Sequence, residues 1–267
     1  MALFHIFLVA IVQGITEFLP ISSSGHLILL PHVMGYVDQG QAIDVAVHVG
    51  TLLAVMIYFW RDLRGAILGL PRLLTGHADT PGARLALLLM MATIPVVLCG
   101  ALISVTGVNE ALRSLTVIGW ATLIFGILLY WSDQIGKIEK TSENWNMKDA
   151  MIIGLWQAVA LIPGTSRSGI TITGARFLGY GRRDAAKVSM LMSVPTIIAS
   201  AILLGAEVAL DADLAVLRDG AIAAAFAFVS AFAALTLMMR LLRSVSFTPY
   251  VIYRIILGVV LLAMAYT

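Results

Sequence analysis

One polar, helix-breaking segment inside otherwise apolar sequence constrains the fold of this chain more than any other feature. The segment from Leu161 to Thr171 reads LIPGTSRSGIT and contains Arg167 together with four hydroxyl side chains, those of Thr165, Ser166, Ser168 and Thr171. An arginine near the centre of a bilayer costs about 2.5 to 3.5 kcal/mol on insertion scales. The Pro163-Gly164 pair also breaks any continuous helix. In a membrane, such a segment is stable only where it lines a cavity walled by protein or water.

The overall composition predicts that this segment does lie in a membrane. Of 267 residues 60% are hydrophobic and 12% are charged, and the mean hydropathy is +0.96, whereas about a quarter of the residues of soluble domains are charged. We therefore predict a polytopic membrane protein. The net charge of +2 comes without any basic run, so we expect no nucleic-acid partner. Cys99 is the only cysteine, which excludes an intrachain disulfide.

The chain divides into two halves with the same pattern. Residues 2–19 are apolar, a break follows at Pro20 and a Ser-Ser-Ser-Gly turn, and a short apolar piece runs from Leu27 to Val37. Two short apolar pieces around a polar break predict a re-entrant hairpin. Candidate spans follow at about 41–60, 85–104 and 115–131, and a polar linker occupies 132–149. The pattern then restarts with a hairpin broken at PGTSRSG, followed by candidate spans near 188–206, 220–239 and 249–266.

An internal repeat accounts for this restart. An offset of 144 pairs Gln13 with Gln157, Ser22 with Ser166, Ser24 with Ser168, and Gly25 with Gly169. Three spans per half is an odd number, so the halves must be inserted in opposite orientations, as in other membrane proteins with broken helices at midplane. We predict an all-α polytopic membrane protein with a single membrane domain over 1–267. It has inverted repeats at 1–131 and 150–267, and its site lies where the two breaks meet.

The distribution of lysine and arginine predicts the orientation. Twelve of the seventeen fall in connections on one side: Arg61, Arg64, Arg72, Arg84, Lys137, Lys140, Lys148, Arg182, Arg183, Lys187, Arg240 and Arg243. The other side carries only Arg113 and Arg218. By the positive-inside rule the linker is cytoplasmic, both termini and the mouth of the first hairpin face outward, and the second hairpin opens to the cytoplasm.

The polar side chains at the two breaks predict an oxyanion site with catalytic groups. A guanidinium offers a planar pair of donors and hydroxyls add single donors, which suits Arg167 and its neighbours to phosphate. The first hairpin adds Glu17, Ser23 and His26, which are a carboxylate, a hydroxyl nucleophile and an imidazole within ten residues. A buried Glu17 needs a partner such as Arg167, a metal or a proton.

Four other polar residues support less specific predictions. Asp44 and His48 are four residues apart on one helix face, so they could extend this network, although pairing with each other is favoured. Arg176, near a helix end, is predicted to be structural. Arg254 is as well explained by snorkelling, or by pairing with a neighbouring span, as by a role at the site.

At these residues the chain resembles a known family. QGITEFLPISSSGH (13–26) and PGTSRSGIT (163–171) are similar to the paired motifs of the bacterial undecaprenyl-diphosphatase, or bacitracin-resistance, family, and HVGTLLAV (48–55) and YRIILG (253–258) look like family sequence as well. The resemblance implies a multi-pass enzyme of the bacterial inner membrane. Such an enzyme hydrolyses undecaprenyl diphosphate to undecaprenyl phosphate and inorganic phosphate, which recycles the lipid carrier for peptidoglycan synthesis.

The resemblance also implies roles for individual residues. Glu17 would be the acid–base or metal-proximal carboxylate, Ser23 the favoured nucleophile, His26 an acid or base, and Arg167 the diphosphate ligand. Supporting phosphate donors would be Ser166, Thr171, Ser168 and Ser22. The departure is Gln13, where the family often has a second carboxylate. A divalent cation, Mg²⁺ or Ca²⁺, would then be held by Glu17, Gln13 and mainly substrate oxygens.

Two questions stay open at the level of sequence. Attack on phosphorus by Ser23 and direct attack by water fit the residues equally well. Inverted repeats with midplane breaks are also typical of secondary transporters, so a carrier or lipid flippase is the alternative function. The expected partners are a polyprenyl diphosphate lipid and the bilayer, and a homodimer is compatible with the sequence.

Overall fold

The structure, a computed structural model, describes residues 3–35, 40–211 and 214–267. Within these ranges the chain forms twelve α-helices and no β-strand. Their bounds are α1 Leu3–Phe18, α2 Ser23–Met34, α3 Gln41–Tyr58, α4 Trp60–Leu74, α5 Pro81–Thr106, α6 Asn109–Leu112, α7 Leu115–Ile135, α8 Met147–Val159, α9 Arg167–Phe177, α10 Arg182–Asp211, α11 Leu214–Leu241 and α12 Thr248–Tyr266.

Six of these helices are long and apolar enough to cross a membrane. They are α3, α5, α7, the Arg182–Leu203 part of α10, α11 and α12, which confirms the all-α polytopic prediction. The bounds differ from those predicted by a few residues. For example, α5 begins at Pro81 because Thr80 caps it, accepting a hydrogen bond from the Ala83 amide at 3.2 Å. The predicted end of the second apolar piece, Val37, lies outside the described residues.

The first cationic connection contains a helix that we did not predict from the sequence. Residues 60–74 form α4, which buries Leu63, Ala66 and Gly69 against α5 and leaves Arg61 and Arg64 exposed. Arginines at both ends and Pro71 near its C-terminus disguise the helical periodicity. This connection is therefore an amphipathic helix.

Both predicted hairpins are present, and their breaks have the same local geometry. Ser22 precedes α2 with φ 73° and Ser166 precedes α9 with φ 69°, a left-handed conformation that costs non-glycine residues about 1 to 3 kcal/mol. The Ser22 hydroxyl accepts from the Gly25 amide at 3.4 Å, as the Ser166 hydroxyl does from the Gly169 amide at 3.2 Å. This pairing follows the offset of 144 in the sequence and is consistent with two repeats.

Ion pairs connect helix termini at one end of the helix bundle. We call this end the linker end. Asp133 at the end of α7 pairs with Arg182 at 2.7 Å and accepts from the Phe247 amide at 3.2 Å. Lys187 pairs with Asp62 at 2.7 Å. These contacts join the end of α7 and the start of α4, which directly follows α3, to the starts of α10 and α12. The starts of α3 and α7 must therefore lie at the opposite end.

The linker packs on the second hairpin at this end. Asp149 is buried and accepts hydrogen bonds from Lys140 Nζ at 2.8 Å and from the Tyr180 hydroxyl at 2.7 Å. Burial, followed by that hydrogen bond, raises the pKa of Tyr180. Arg176 donates to the carbonyls of Asp133 and Gly136 at 3.1 and 2.8 Å, so its predicted structural role is confirmed.

Close helix packing fixes the hairpins in the bundle. α1 packs against α11, and α8 packs against α5. A Cβ at Gly14 would collide with Ser230 and the Ala227 carbonyl of α11. A Cβ at Gly154 would collide with Ala92 of α5. Each hairpin is thereby packed closely against a different helix of the bundle.

Candidate active site

A cavity of about 670 Å³ lies between the two hairpin breaks and the end of the bundle opposite the linker. Helices α1, α2 and α3 supply Glu17, Ser23, Ser24, Gln41, Asp44, Val45 and His48, and the rest of the lining is Val96, Arg113, Ala160, Leu161, Ser166, Arg167, Thr196, Ile197, Ser200 and Ala201. The two breaks therefore meet at one polar cavity. Its opening is at the end that carries the starts of α3 and α7.

Glu17 is the centre of the polar network. Its Oε2 accepts hydrogen bonds from the Ser23 hydroxyl at 2.8 Å and from Gln13 Nε2 at 2.9 Å. Its Oε1 accepts from Arg167 Nη2 at 2.6 Å. The Glu17 side chain is 7% exposed, so this ion pair supplies the partner that a buried carboxylate needs. Ser23 and its proton acceptor are already in contact.

Arg167 begins α9 and reaches across to the first hairpin. Nη2 is paired with Glu17, whereas Nη1 is buried and has no hydrogen-bond partner among the residues that the structure describes. A buried guanidinium nitrogen without a partner is costly unless a ligand satisfies it. Because Arg167 lines the cavity, Nη1 is placed to donate to an anion bound there.

Arg254 holds the second break in place, and the sequence did not single out this role. It is fully buried on α12 and donates through Nη2 to the carbonyls of Gly164 and Thr165 at 3.1 and 2.9 Å. Its Nε donates to the Thr122 carbonyl of α7 at 3.1 Å. Arg254 therefore does not snorkel. It satisfies carbonyls that the Pro163-Gly164 break leaves without helical partners.

Five predicted site residues, Gln13 among them, lie beside the cavity and do not line it. The His26 ring donates from Nδ1 to the Ser22 carbonyl at 2.7 Å, contacts the Tyr253 hydroxyl through Nε2 at 2.5 Å and stacks on that ring. Ser22 caps α2. The Ser168 hydroxyl donates to the Leu19 carbonyl at 3.0 Å, and that of Thr171 donates to the Arg167 carbonyl at 2.8 Å. Their roles in catalysis and phosphate binding stay predictions.

Asp44 and His48 line the cavity, contrary to the favoured prediction that they mainly pair with each other. His48 does contact Asp44, but through a hydrogen bond from Nδ1 to the backbone carbonyl at 2.7 Å. Its Nε2 lies 3.9 Å from Glu17 Oε2. The spacing of four residues correctly predicted that Asp44 and His48 share one face of α3. That this face lines the cavity depends on how α3 packs beside the first hairpin, which the spacing does not indicate. Arg113 also lines the cavity, and no motif marks it in the sequence.

The described residues offer only part of a cation site. They contain no group of three or more histidine, cysteine, aspartate and glutamate side chains arranged to bind a metal. Gln13 Oε1 is buried without a hydrogen-bond partner, next to Glu17. Two oxygen donors suit a divalent cation only when a ligand supplies most of the remaining oxygens.

The cavity combines a polar end with an apolar wall. The hydroxyl of Ser23, the carboxylate of Glu17 and the guanidinium of Arg167 form the polar end. Val96 of α5 and Ile197 and Ala201 of α10 form the wall, and α5 packs against α10 there. Such a cavity can bind an anionic group with an apolar chain attached, and it holds a hydroxyl beside a carboxylate, an arrangement that suits nucleophilic attack.

Comparison with known proteins assigns this architecture to a family. The family model described as bacitracin resistance protein BacA matches residues 6–260. The undecaprenyl-diphosphatase of Jannaschia sp. (strain CCS1) is 68% identical over 266 residues and that of Ruegeria pomeroyi is 68% identical over 267, with 100% of both chains covered in each case. Undecaprenyl-diphosphatase 1 of Rhodospirillum rubrum is 46% identical over 272 residues, which cover 100% of this chain and 96% of that protein.

Proposed function

The chain belongs to the BacA family of bacitracin resistance proteins, and we propose that it is an undecaprenyl-diphosphatase of the bacterial inner membrane. It hydrolyses undecaprenyl diphosphate to undecaprenyl phosphate and inorganic phosphate, and so recycles the lipid carrier for peptidoglycan synthesis. The single observation that carries the proposal is the contact of Ser23 and Arg167 with the same carboxylate, Glu17. That contact supports the proposal because it brings a hydroxyl, a carboxylate and a guanidinium together at the two breaks.

The substrate binds with its headgroup between the breaks and its chain along the apolar wall. The terminal phosphate accepts hydrogen bonds from Arg167 Nη1 and the Ser166 hydroxyl. The first isoprene units contact Val96, Ile197 and Ala201. Neighbouring side chains on the outer surface of α5 and α10, such as Leu98 and Ile202, are exposed. The lipid chain can therefore pass from the cavity into the bilayer without crossing a polar surface.

In the first step, Ser23 attacks the terminal phosphorus. The Ser23 hydroxyl proton passes to Glu17 Oε2, to which it is already hydrogen-bonded. A bond forms between Ser23 Oγ and phosphorus, the bond from phosphorus to the bridging oxygen breaks, and its electron pair leaves with undecaprenyl phosphate. Arg167 and the amides at the start of α9 neutralise the charge on the transferring phosphoryl oxygens.

In the second step, water hydrolyses the phosphoserine. Undecaprenyl phosphate takes the first proton from Glu17 as it leaves, so the carboxylate is free again. Water then gives a proton to Glu17 and bonds to phosphorus, and the serine oxygen leaves with the electron pair of the broken bond and takes that proton back from Glu17. Glu17 carries the proton in both steps, because the ring of His26 is held by Ser22 and Tyr253. His26 is then a positioning residue for the first turn of α2, and Ser22, Ser168 and Thr171 position the two breaks.

In this proposal a divalent cation would bind together with the substrate. The oxygens of Gln13 and Glu17 would contact it, and the diphosphate would supply its other ligands. When bound, it adds positive charge beside the phosphoryl oxygens. Every protein group used in the two steps lies on one chain, so a homodimer is not needed for activity.

The proposal includes the orientation of the protein in the membrane. The two repeats are inserted in opposite orientations, the linker end faces the cytoplasm, and the cavity opens outward. The cationic connections support this arrangement through the positive-inside rule. The headgroup would then be hydrolysed on the periplasmic side of the inner membrane.

The decisive experiment measures phosphate release from undecaprenyl diphosphate by the purified protein. We expect turnover by the wild type, loss of turnover by Ser23→Ala, and wild-type turnover by the matched control Ser244→Ala, because Ser244 is exposed in the turn after α11. Radiolabelled β-phosphate should be trapped on the wild type as phosphoserine. Retention of substantial turnover by Ser23→Ala would instead assign the attack to water. Lipid translocation in vesicles with no phosphate release would favour the transporter or flippase.

A further inference from the structure

Arg113 lines the catalytic cavity without a protein partner. It lies between α6 and α7, at the end opposite the linker, and its side chain is exposed to the cavity. It makes no ion pair or hydrogen bond with the residues that the structure describes. The other arginine on the same predicted side behaves differently, since Arg218 pairs with Asp219 at 3.1 Å. The charge of Arg113 is therefore available to a ligand.

The charges of the side chains that line the cavity explain why a diphosphate needs an unpaired cationic side chain there. Two carboxylates, Glu17 and Asp44, and two guanidinium groups, Arg113 and Arg167, line it. Arg167 is already paired with Glu17 at 2.6 Å, so much of its charge is compensated before a ligand arrives. A diphosphate brings more than one negative charge on two adjacent phosphorus atoms. Arg113 is the guanidinium group of this lining that no carboxylate of the described residues compensates.

We propose that Arg113 binds the second phosphate of the substrate, the one attached to the lipid, and thereby makes the site selective for a diphosphate over a monophosphate headgroup. This inference rests on the proposed function. The reacting phosphate is fixed beside Ser23 and Arg167, so the second phosphate lies toward the apolar wall. Arg113 lines the same cavity as Val96 of that wall. A planar guanidinium can hold two phosphate oxygens at once.

The position of Arg113 also has a consequence for the reaction. When the bridging bond breaks, the electron pair and the new negative charge stay on the lipid phosphate. A cation fixed next to that phosphate stabilises the leaving group. After release of inorganic phosphate, the monophosphate product keeps its contact with Arg113 and loses the contacts at Arg167, so it binds less tightly than the substrate.

The test compares a diphosphate probe with a monophosphate probe. Binding of methylenediphosphonate and of orthophosphate to the detergent-solubilised full chain is measured by calorimetry, and each is also tested as an inhibitor of phosphate release from undecaprenyl diphosphate. The variants are Arg113→Gln, Arg113→Lys and the matched control Arg218→Gln. We expect Arg113→Gln to weaken the diphosphonate about 10-fold, as the loss of a charge-assisted hydrogen bond does, and to leave orthophosphate unchanged within about 2-fold. Arg113→Lys should retain more diphosphonate affinity than Arg113→Gln.

Two outcomes would overturn the assignment. Equal weakening of both probes by Arg113→Gln would mean that Arg113 only attracts anions, without recognising the second phosphate. Diphosphonate affinity in Arg113→Gln equal to that of Arg218→Gln would mean that Arg113 makes no contact. Failure of the wild type to release phosphate would count against the proposed function separately, because the calorimetric comparison does not depend on turnover.

Discussion

Arg167 Nη2 lies 2.6 Å from Glu17 Oε1, an ion pair between residues 150 positions apart in the sequence. It joins the breaks of the two hairpins, each of which is held against a different helix of the bundle. The pair orients the carboxylate so that its other oxygen faces Ser23. The proposed base and the proposed phosphate ligand are thus parts of one contact, and each can be tested by a substitution that keeps its shape or its charge.

Glu17→Gln should give a folded and inactive protein. The amide keeps the size of the side chain and can still contact Ser23 and Arg167, but it cannot take the hydroxyl proton. Loss of a general base typically lowers the rate about 10² to 10⁴-fold. Turnover from about pH 5 to 9 and the melting temperature of the purified variant are the measurements. Unchanged turnover across that range would exclude Glu17 as the base.

Arg167→Lys should lose most of the activity although the charge is retained. An ammonium group cannot pair with Glu17 and present a second planar donor to phosphate at the same time. We expect kcat/KM to fall by about 100-fold, comparable to the loss of one transition-state donor. Arg243→Lys, in an exposed turn after α11, is the control for the same chemical change. A kcat/KM near that of the wild type in Arg167→Lys would contradict the assignment.

Arg254→Met should lower kcat and stability together. Methionine fills part of the space, but it leaves the Thr165 carbonyl without its donor, at about 1 to 3 kcal/mol, and leaves the Gly164 carbonyl with only the Thr122 hydroxyl at 3.3 Å. The second break should then shift, and small displacements of reacting groups cost up to about 100-fold in rate. Measurements of kcat, KM and the melting temperature separate the effects. An unchanged melting temperature and an unchanged kcat would show that the break holds its shape without Arg254.

Gln13→Glu tests whether a cation accompanies the substrate. Gln13 now donates to Glu17 at 2.9 Å, so the variant would bring two carboxylates together. With a divalent cation between them, the new carboxylate adds a ligand, and the variant should stay active and need less Mg²⁺ or Ca²⁺ for half-maximal rate. Calorimetry of the metal with the protein alone gives an independent reading. A slower enzyme that added metal does not restore would indicate that Glu17 works without an ion.

Much of the fold follows from local sequence, because membrane spans depend on length and hydropathy and hairpin breaks depend on Pro and Gly. The Glu17–Arg167 contact was also predictable, since a buried carboxylate and a buried guanidinium in two facing breaks have few alternative partners. The paired turns at Ser22 and Ser166 follow the repeat that the offset of 144 reveals.

The remaining parts of the site depend on the packing of helices that are distant in sequence. Neither Arg254 nor Arg113 is next to another predicted site residue in the sequence. The packing of α12 brings Arg254 to the second break, and the α6–α7 connection brings Arg113 to the cavity. His26 was predicted at the reacting centre because it follows the Ser-Ser-Ser-Gly turn within ten residues of Glu17 and Ser23. Its ring stacks on Tyr253, a contact 227 residues away that no local pattern indicates.

The contact between Arg254 and the Thr165 carbonyl has a consequence for biogenesis. Both hairpins and five of the six spans leave the ribosome before α12, yet α12 carries the arginine that holds the second break. A nascent chain stalled before Thr248 would contain Ser23, Glu17 and Arg167 in the membrane with the Thr165 carbonyl lacking its donor. Arrest of translation at successive positions should therefore show the site becoming competent to bind diphosphonate only after α12 has been inserted.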